Sequence, residues 1–306
     1  MPTLYTNIDS NKRQSWWLLS GFVLFVIGLG YVFSYALNSQ AVLYAAVIFS
    51  FIYAWFSYYH SDQMVLAISG AQAIDRQGAG RDIYRLVENL CITAGLPVPK
   101  IYLIDDPAPN AFATGRDPEH AALAMTSGLV QRLNKRELEG VIAHELSHIG
   151  NRDILLATLV TVLIGVVVLL ADWFRRWTFW GGGRRRSNDN DNNQLAVIMM
   201  IAALVLSILA PLFAYLIQFA ISRRREFLAD ASGAMLTRDP EGLANALAKI
   251  AADDEPMRHP NRATAHLYIA SPVKADTDQK VGWWARALMT HPPLAERVKA
   301  LLGSAA

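Results

Sequence analysis

Four long apolar runs punctuate the chain, at 16–37, 41–59, 154–171 and 195–221. None contains a charged residue, and the last is interrupted only by Pro211 and Gln218. A bilayer core of about 30 Å takes about 20 residues of helix, so all four are candidate spans. The first two are richest in aromatics. Trp16, Trp17, Tyr58 and Tyr59 stand at run ends, where interfacial rings belong. The competing reading of such a run is a buried core helix, and it weighs most on the last two.

Only Asn38-Ser39-Gln40 separates the first two runs, which predicts a tight transmembrane hairpin. Lys12 and Arg13 precede it, but the run after them exceeds the 7–15 residues usual in a signal peptide, and no small-x-small site follows. The expectation is an anchor. By the positive-inside rule the N-terminus, and the chain from about His60, lie in the cytoplasm.

Residues 60–153 read as soluble. Ile83, Leu86, Val87 and Leu90 share one face of a helix over 82–94, which Gly95 and Pro97 stop. Strands are expected at 100–104, 110–114 and 121–125. Asn134, with Glu137 three residues on, reads as a helix N-cap. The loop 181–194, with three glycines, three arginines and alternating Asn and Asp, is of low complexity. After Ile221 the chain reads as mostly helical to Leu302, with 270–280 as the loop.

Composition agrees with this division. The chain is 53% hydrophobic and 18% charged, against about 45–50% and about 25% in soluble domains. Its mean hydropathy is +0.22. Disorder is excluded. One cysteine, Cys91, excludes a disulfide scaffold and a four-cysteine zinc site, and fits a reducing compartment. A net charge of +2 gives no argument for nucleic acid.

The chemistry centres on His144-Glu145-Leu146-Ser147-His148. Residues i and i+4 share a helix face, so both imidazoles reach one ion, and Glu145 reaches the water beside it. Zinc suits imidazole and carboxylate donors. A catalytic zinc needs a third protein ligand. The extended metzincin motif would require Gly at 151 and His at 154, where this chain has Asn151 and Ile154. A downstream glutamate is the alternative. Glu226 and Asp230 are again i and i+4: Glu226 as ligand, Asp230 as acceptor from the far nitrogen of a ligating histidine. A solvated surface pair is the bland reading of the same two residues.

Because His144, His148 and Glu226 must meet at one ion, 154–171 and 195–221 either both cross the bilayer or neither does. Five arginines in 172–194 argue against exporting that loop, so a crossing hairpin and a membrane-lying one both stand.

Taken in order, the N-terminal hairpin, Asn110-Ala-Phe-Ala113, His-Glu-Leu-Ser-His, a second hairpin, Arg225-Glu-Phe-Leu-Ala-Asp230 and His291-Pro-Pro-Leu-Ala-Glu-Arg297 resemble the HtpX family of membrane-bound zinc metalloproteases, relatives of the CAAX prenyl endopeptidases. The resemblance implies a mainly α-helical integral membrane protein, with two transmembrane hairpins and a zincin-like (gluzincin) α+β catalytic domain carrying a small sheet. It implies one Zn2+ on His144, His148 and Glu226, with Glu145 catalytic, and His291 and Arg297 near the active site. It also implies a heat-shock-associated protease of the bacterial inner membrane, facing the cytoplasm, that clears damaged membrane proteins. The expected division is 1–59 for the first hairpin, 60–153 for the first catalytic half, 154–221 for the second hairpin with polar loop 172–194, and 222–306 for the second catalytic half.

On this reading Glu145 moves the water proton, and His291, supported by Arg297, donates to the oxyanion. His-Pro-Pro as a plain helix start is the alternative. Residues Asn110, Ala111, Phe112 and Ala113 form either an edge strand that takes an extended substrate or an ordinary strand. Lys135, Arg136, Glu137 and Glu139 just ahead of the motif argue against an intramembrane site. A prenyl endopeptidase would need more than four spans. A non-proteolytic scaffold with a closed zinc site would need a fourth ligand from His120, His259, His266 or His291. Partners are protein substrates and the bilayer, and the oligomeric state is left open.

Overall fold

The computed structural model describes residues 4–36, 38–163, 223–258, 261, 264–270 and 292–303. The two N-terminal runs form one antiparallel hairpin, α1 (Leu4–Ala36) and α2 (Gln40–Ile68). Asn38, with φ 50°, makes the turn, and the Ser34 hydroxyl donates to the Ser39 carbonyl. Gly30 lies flush against Ala46, so a side chain there would collide with it and push the helices apart. Both helices are long and apolar enough to cross a membrane, and few side chains in either span are buried in the protein. Trp16, Trp17, Phe51 and Trp55 all point outward, which a soluble core helix would not allow.

α2 continues nine residues past Tyr59 because nothing breaks it before Gly70, at φ 64°. That last stretch packs under the sheet, where Val65 and Leu66 meet Ile104, Phe112 and Ala124. The expected elements follow: α3 (Arg81–Ala94), β2 (Lys100–Ile104), β3 (Ala111–Gly115) and β4 (Ala121–Thr126). The strand β1 (Gln72–Ala73) went unanticipated, being two exposed residues with no apolar pattern. The sheet order is β1-β2-β4-β3, with β2 and β4 parallel and the other pairs antiparallel.

Both faces of this small sheet are covered. Ile101, Leu123 and Met125 pack with α3 and with α5 (Lys135–Gly150), while Phe112 and Ala124 pack towards α2. Burial on both faces explains why β4 reads as an unbroken apolar run. The short helix α4 (Ser127–Arg132) leads into α5, whose start is a full capping box of Asn134 and Glu137.

The third apolar run begins as α6 (Asp153–Leu163), and its Leu155 and Leu159 pack on Leu19 of α1. The rest of the third apolar run, the fourth run and the 181–194 loop, where a second hairpin was expected, lie outside the described residues. Beyond it come α7 (Arg223–Thr237), α8 (Pro240–Ala252, capped by Asp239) and α9 (Leu294–Gly303). The expectation of helix through this region fails between α8 and α9, where 253–258 and 264–270 are irregular. Pro256 stands within the first segment, and the second hydrogen-bonds to the sheet edge: Ile269 N–H donates to the Ala111 carbonyl at 2.9 Å.

Candidate active site

α5 sets His144 and His148 one turn apart on one face, their rings 4.7 Å apart and nearly perpendicular. α7 packs directly against this turn. A side chain on Gly233 would come within 2.9 Å of the His144 backbone nitrogen, so glycine lets the helices touch there. That contact brings Glu226, about two turns before Gly233 towards the N-terminus of α7, to the histidines. His144 Nε2 and His148 Nε2 are 3.2 Å apart, and the Glu226 carboxylate oxygens lie 3.9 and 3.7 Å from them.

One donor atom from each of the three residues lies within 4.8 Å of the others. Zinc with ligands at about 2.0–2.1 Å in a tetrahedron needs donors roughly 3.3 Å apart, close to this spacing. Each histidine also has a carboxylate behind it. His144 Nδ1 lies 2.9 Å from Asp230 Oδ1, and His148 Nδ1 lies 3.0 Å from Asp153 Oδ2. Those contacts place the ring protons on Nδ1 and leave both Nε2 lone pairs facing the shared point. The donor set and its supports therefore fit a metal ion. Among the described histidines, His120 is exposed and bound to Asp117, and His266 binds Thr161 Oγ1 and the Ala157 carbonyl. Neither joins the cluster as a fourth donor.

Glu145 is almost wholly buried beside the cluster. Burial holds its carboxyl above the usual range, against the pull of His144 and His148. At His148 burial works against protonation. The Asp153 hydrogen bond and the charges of Glu226, Asp153 and Glu145 outweigh it and push the ring up to about 9. An ion entering the site must displace that proton.

Arg297 was expected near the active site, in support of His291. Its guanidinium is fully buried against the cluster, with Nη2 3.3 Å from His144 Nε2. Nε and Nη2 donate to Asp230 at 2.8 and 2.6 Å, and Nη1 lies 3.4 Å from Glu226 Oε2 and donates to the Ile269 carbonyl. His291 lies outside the described residues. Asp153 was missed entirely. Its only sequence signal is its position five residues after His148.

The expected substrate edge divides into separate tasks. Within the described sheet β3 is an edge strand. Thr126 N–H donates to the Asn110 carbonyl, and bonded positions alternate in an antiparallel pair, so Phe112 and Thr114 also face β4. Ala111, Ala113 and Gly115 face outward. Ala111 is taken by Ile269, and Gly115 N–H donates to Thr158 Oγ1 at 3.3 Å. Asn110 anchors Ala270 through its side chain, and the Phe112 ring packs edge-on to Tyr268 on the opposite face. Ala113 alone of the four expected residues lines the cavity that holds His144, Glu145, His148 and Glu226.

Comparison with known proteins agrees with this geometry. Peptidase family M48 matches residues 79–305. A protease HtpX homolog of Caldanaerobacter subterraneus subsp. tengcongensis is 43% identical over 301 residues, covering 98% of this chain and 97% of that protein. One from Dictyoglomus turgidum is 42% identical over 301 residues, covering 98% and 94%. One from Streptococcus pneumoniae is 43% identical over 302 residues, covering 97% and 99%. Among solved structures, S. mikatae Ste24p aligns with a TM-score of 0.50 at 17% identity, over 97% of this chain and 66% of that one, a likeness of fold. The paired histidines and Glu226 are thus found in a chain that belongs to peptidase family M48, with the HtpX-type membrane metalloproteases as its relatives.

Proposed function

We propose that this metallopeptidase is a zinc-dependent endopeptidase of the bacterial inner membrane, facing the cytoplasm, that cleaves damaged or misfolded membrane proteins. The observation that carries the reading is the meeting of His144, His148 and Glu226 beside buried Glu145. Two imidazoles and one carboxylate are a catalytic zinc set, which keeps a fourth position open. A ligand helix lying close to an edge strand supports a zincin-like catalytic domain, split as 60–153 and 222–306 around a second hairpin at 154–221. The cytoplasmic placement is supported by Lys12 and Arg13 at the end of α1 nearest this domain.

In the proposed reaction zinc supplies Lewis acidity and an acidified water. Glu145 accepts the proton of the attacking water and delivers it to the leaving amine. Its buried setting raises the carboxyl's proton affinity, which suits a base. The outward N–H and C=O of Ala113 pair with an extended substrate and lay its scissile bond over the cluster. His291, three residues before α9, donates to the oxyanion. Arg297 steadies Asp230 and Glu226. The test is cleavage of casein by purified protein, stripped of metal and then restored with Zn2+. Cleavage should vanish and return, and cleavage that survives stripping would contradict the reading.

A further inference from the structure

Asn11 sits on α1 just before Lys12, Arg13 and the apolar run, yet it is only 5% exposed. Its amide nitrogen donates to Asp153 Oδ1 at 2.6 Å and to the Asn151 carbonyl at 3.1 Å. Its amide oxygen accepts from Arg225 Nη1 at 3.1 Å. All three partners require the same orientation, with two acceptors at the NH2 and a cation at the oxygen. An aspartate would lose both donors and set a second carboxylate against Asp153. A leucine would satisfy none of the three. The position calls for an amide.

Asp153 is the residue that accepts from His148 Nδ1, and Arg225 directly precedes Glu226. Asn11 therefore touches the neighbours of two of the three metal donors, from 142 residues away in the case of Asp153. Without Asn11, Asp153 Oδ1 would keep only Arg225 Nη1 at 3.9 Å, beyond hydrogen-bond reach, so the carboxylate would have rotamers to explore, and each moves the acceptor that fixes His148.

We propose that Asn11 is a positioning residue of the metal site. Its amide holds Asp153 so that His148 keeps its proton on Nδ1 and turns Nε2 to the ion. The first apolar helix is then a working part of the active site as well as an anchor. This rests on His148 being a metal ligand, as proposed above.

The test uses the full chain in detergent micelles, stripped of metal and titrated with Zn2+ against a chelating indicator. Wild type should bind one Zn2+, and His148→Ala should not compete. No binding by wild type, or unchanged binding by His148→Ala, would overturn the site reading and this inference with it. With the site established, Asn11→Ala and Asn11→Asp should each weaken Zn2+ binding about 10- to 100-fold while the metal-free protein still melts cooperatively. Asp153→Asn should weaken it comparably. The Asn11→Ala, Asp153→Asn double variant should bind no worse than Asp153→Asn alone, because both act through one carboxylate. Wild-type affinity in both Asn11 variants, or losses that add in the double variant, would overturn the proposal and leave the metal site standing. Failure of both Asn11 variants to fold without metal would also overturn it, since Asn11 would then be a folding contact.

Discussion

Arg297 grips Asp230 at two points, Nη2 to Oδ1 at 2.6 Å and Nε to Oδ2 at 2.8 Å, with both side chains shut away from solvent. The same carboxylate lies 2.9 Å from His144 Nδ1, so arginine, aspartate and histidine form one line ending at the metal donors. Removing one partner of a buried pair leaves the other charge stranded, at about 3–5 kcal/mol. Arg297→Ala should lower stability by that order in thermal unfolding. Arg297→Lys should recover little, because an ammonium cannot match the two-point contact. Full stability in either variant would show that the pair is dispensable.

The same pair sets an acid limit. Burial works against an ionised Asp230, but hydrogen bonds from Arg297 and His144 outweigh it and hold the carboxyl at about 2. A carboxyl depressed on folding adds stability above its unfolded pKa of about 3.9 and loses it as pH falls through the folded value. The window is therefore about pH 4 to 2, and the size is about 2.5 kcal/mol. In metal-free protein, Asp230→Asn should flatten the fall of melting temperature across that window. An unchanged slope would contradict the ionised state of Asp230.

What the sequence made legible is local. The cap at Asn134, the helix after it and the histidine pair four apart all depend on neighbours along the chain, and they lie where their spacing predicts. Asn11 was invisible because it acts through Asp153, 142 residues away, and Asp153 because a carboxylate five residues after a histidine is no helix-face pattern. Arg297 was visible as a motif, but its direction was not, since the turn of α9 against α7 decides which side of His144 it approaches. The edge strand could be read as a strand, but Ile269 and Thr158 decide which of its outward groups are free to take a substrate. The 181–194 loop and His291 fall outside the described residues.

With Ala111 and Gly115 already engaged, the proposed strand addition on β3 would centre on Ala113. Peptides carrying a single N-methylated backbone amide, scanned along the chain, should show one position near the scissile bond where kcat/KM drops about tenfold, the worth of one hydrogen bond. A uniform response along the peptide would argue against strand addition.

The topology makes a separate prediction. Reporter fusions at His60 and at Ala306 should both read cytoplasmic, because His144, His148 and Glu226, from either side of the second apolar pair, meet within 4.8 Å. Opposite readings would be incompatible with a site made of His144, His148 and Glu226.

The most direct test of the central claim is zinc content measured together with casein cleavage in Glu145→Gln. An amide at 145 keeps the volume and a hydrogen bond but cannot take a proton. Wild type and variant should each hold one zinc per chain, and the variant should lose proteolysis by several orders of magnitude. Cleavage retained near the wild-type rate, with zinc in place, would contradict the assignment of Glu145 as the base of this site.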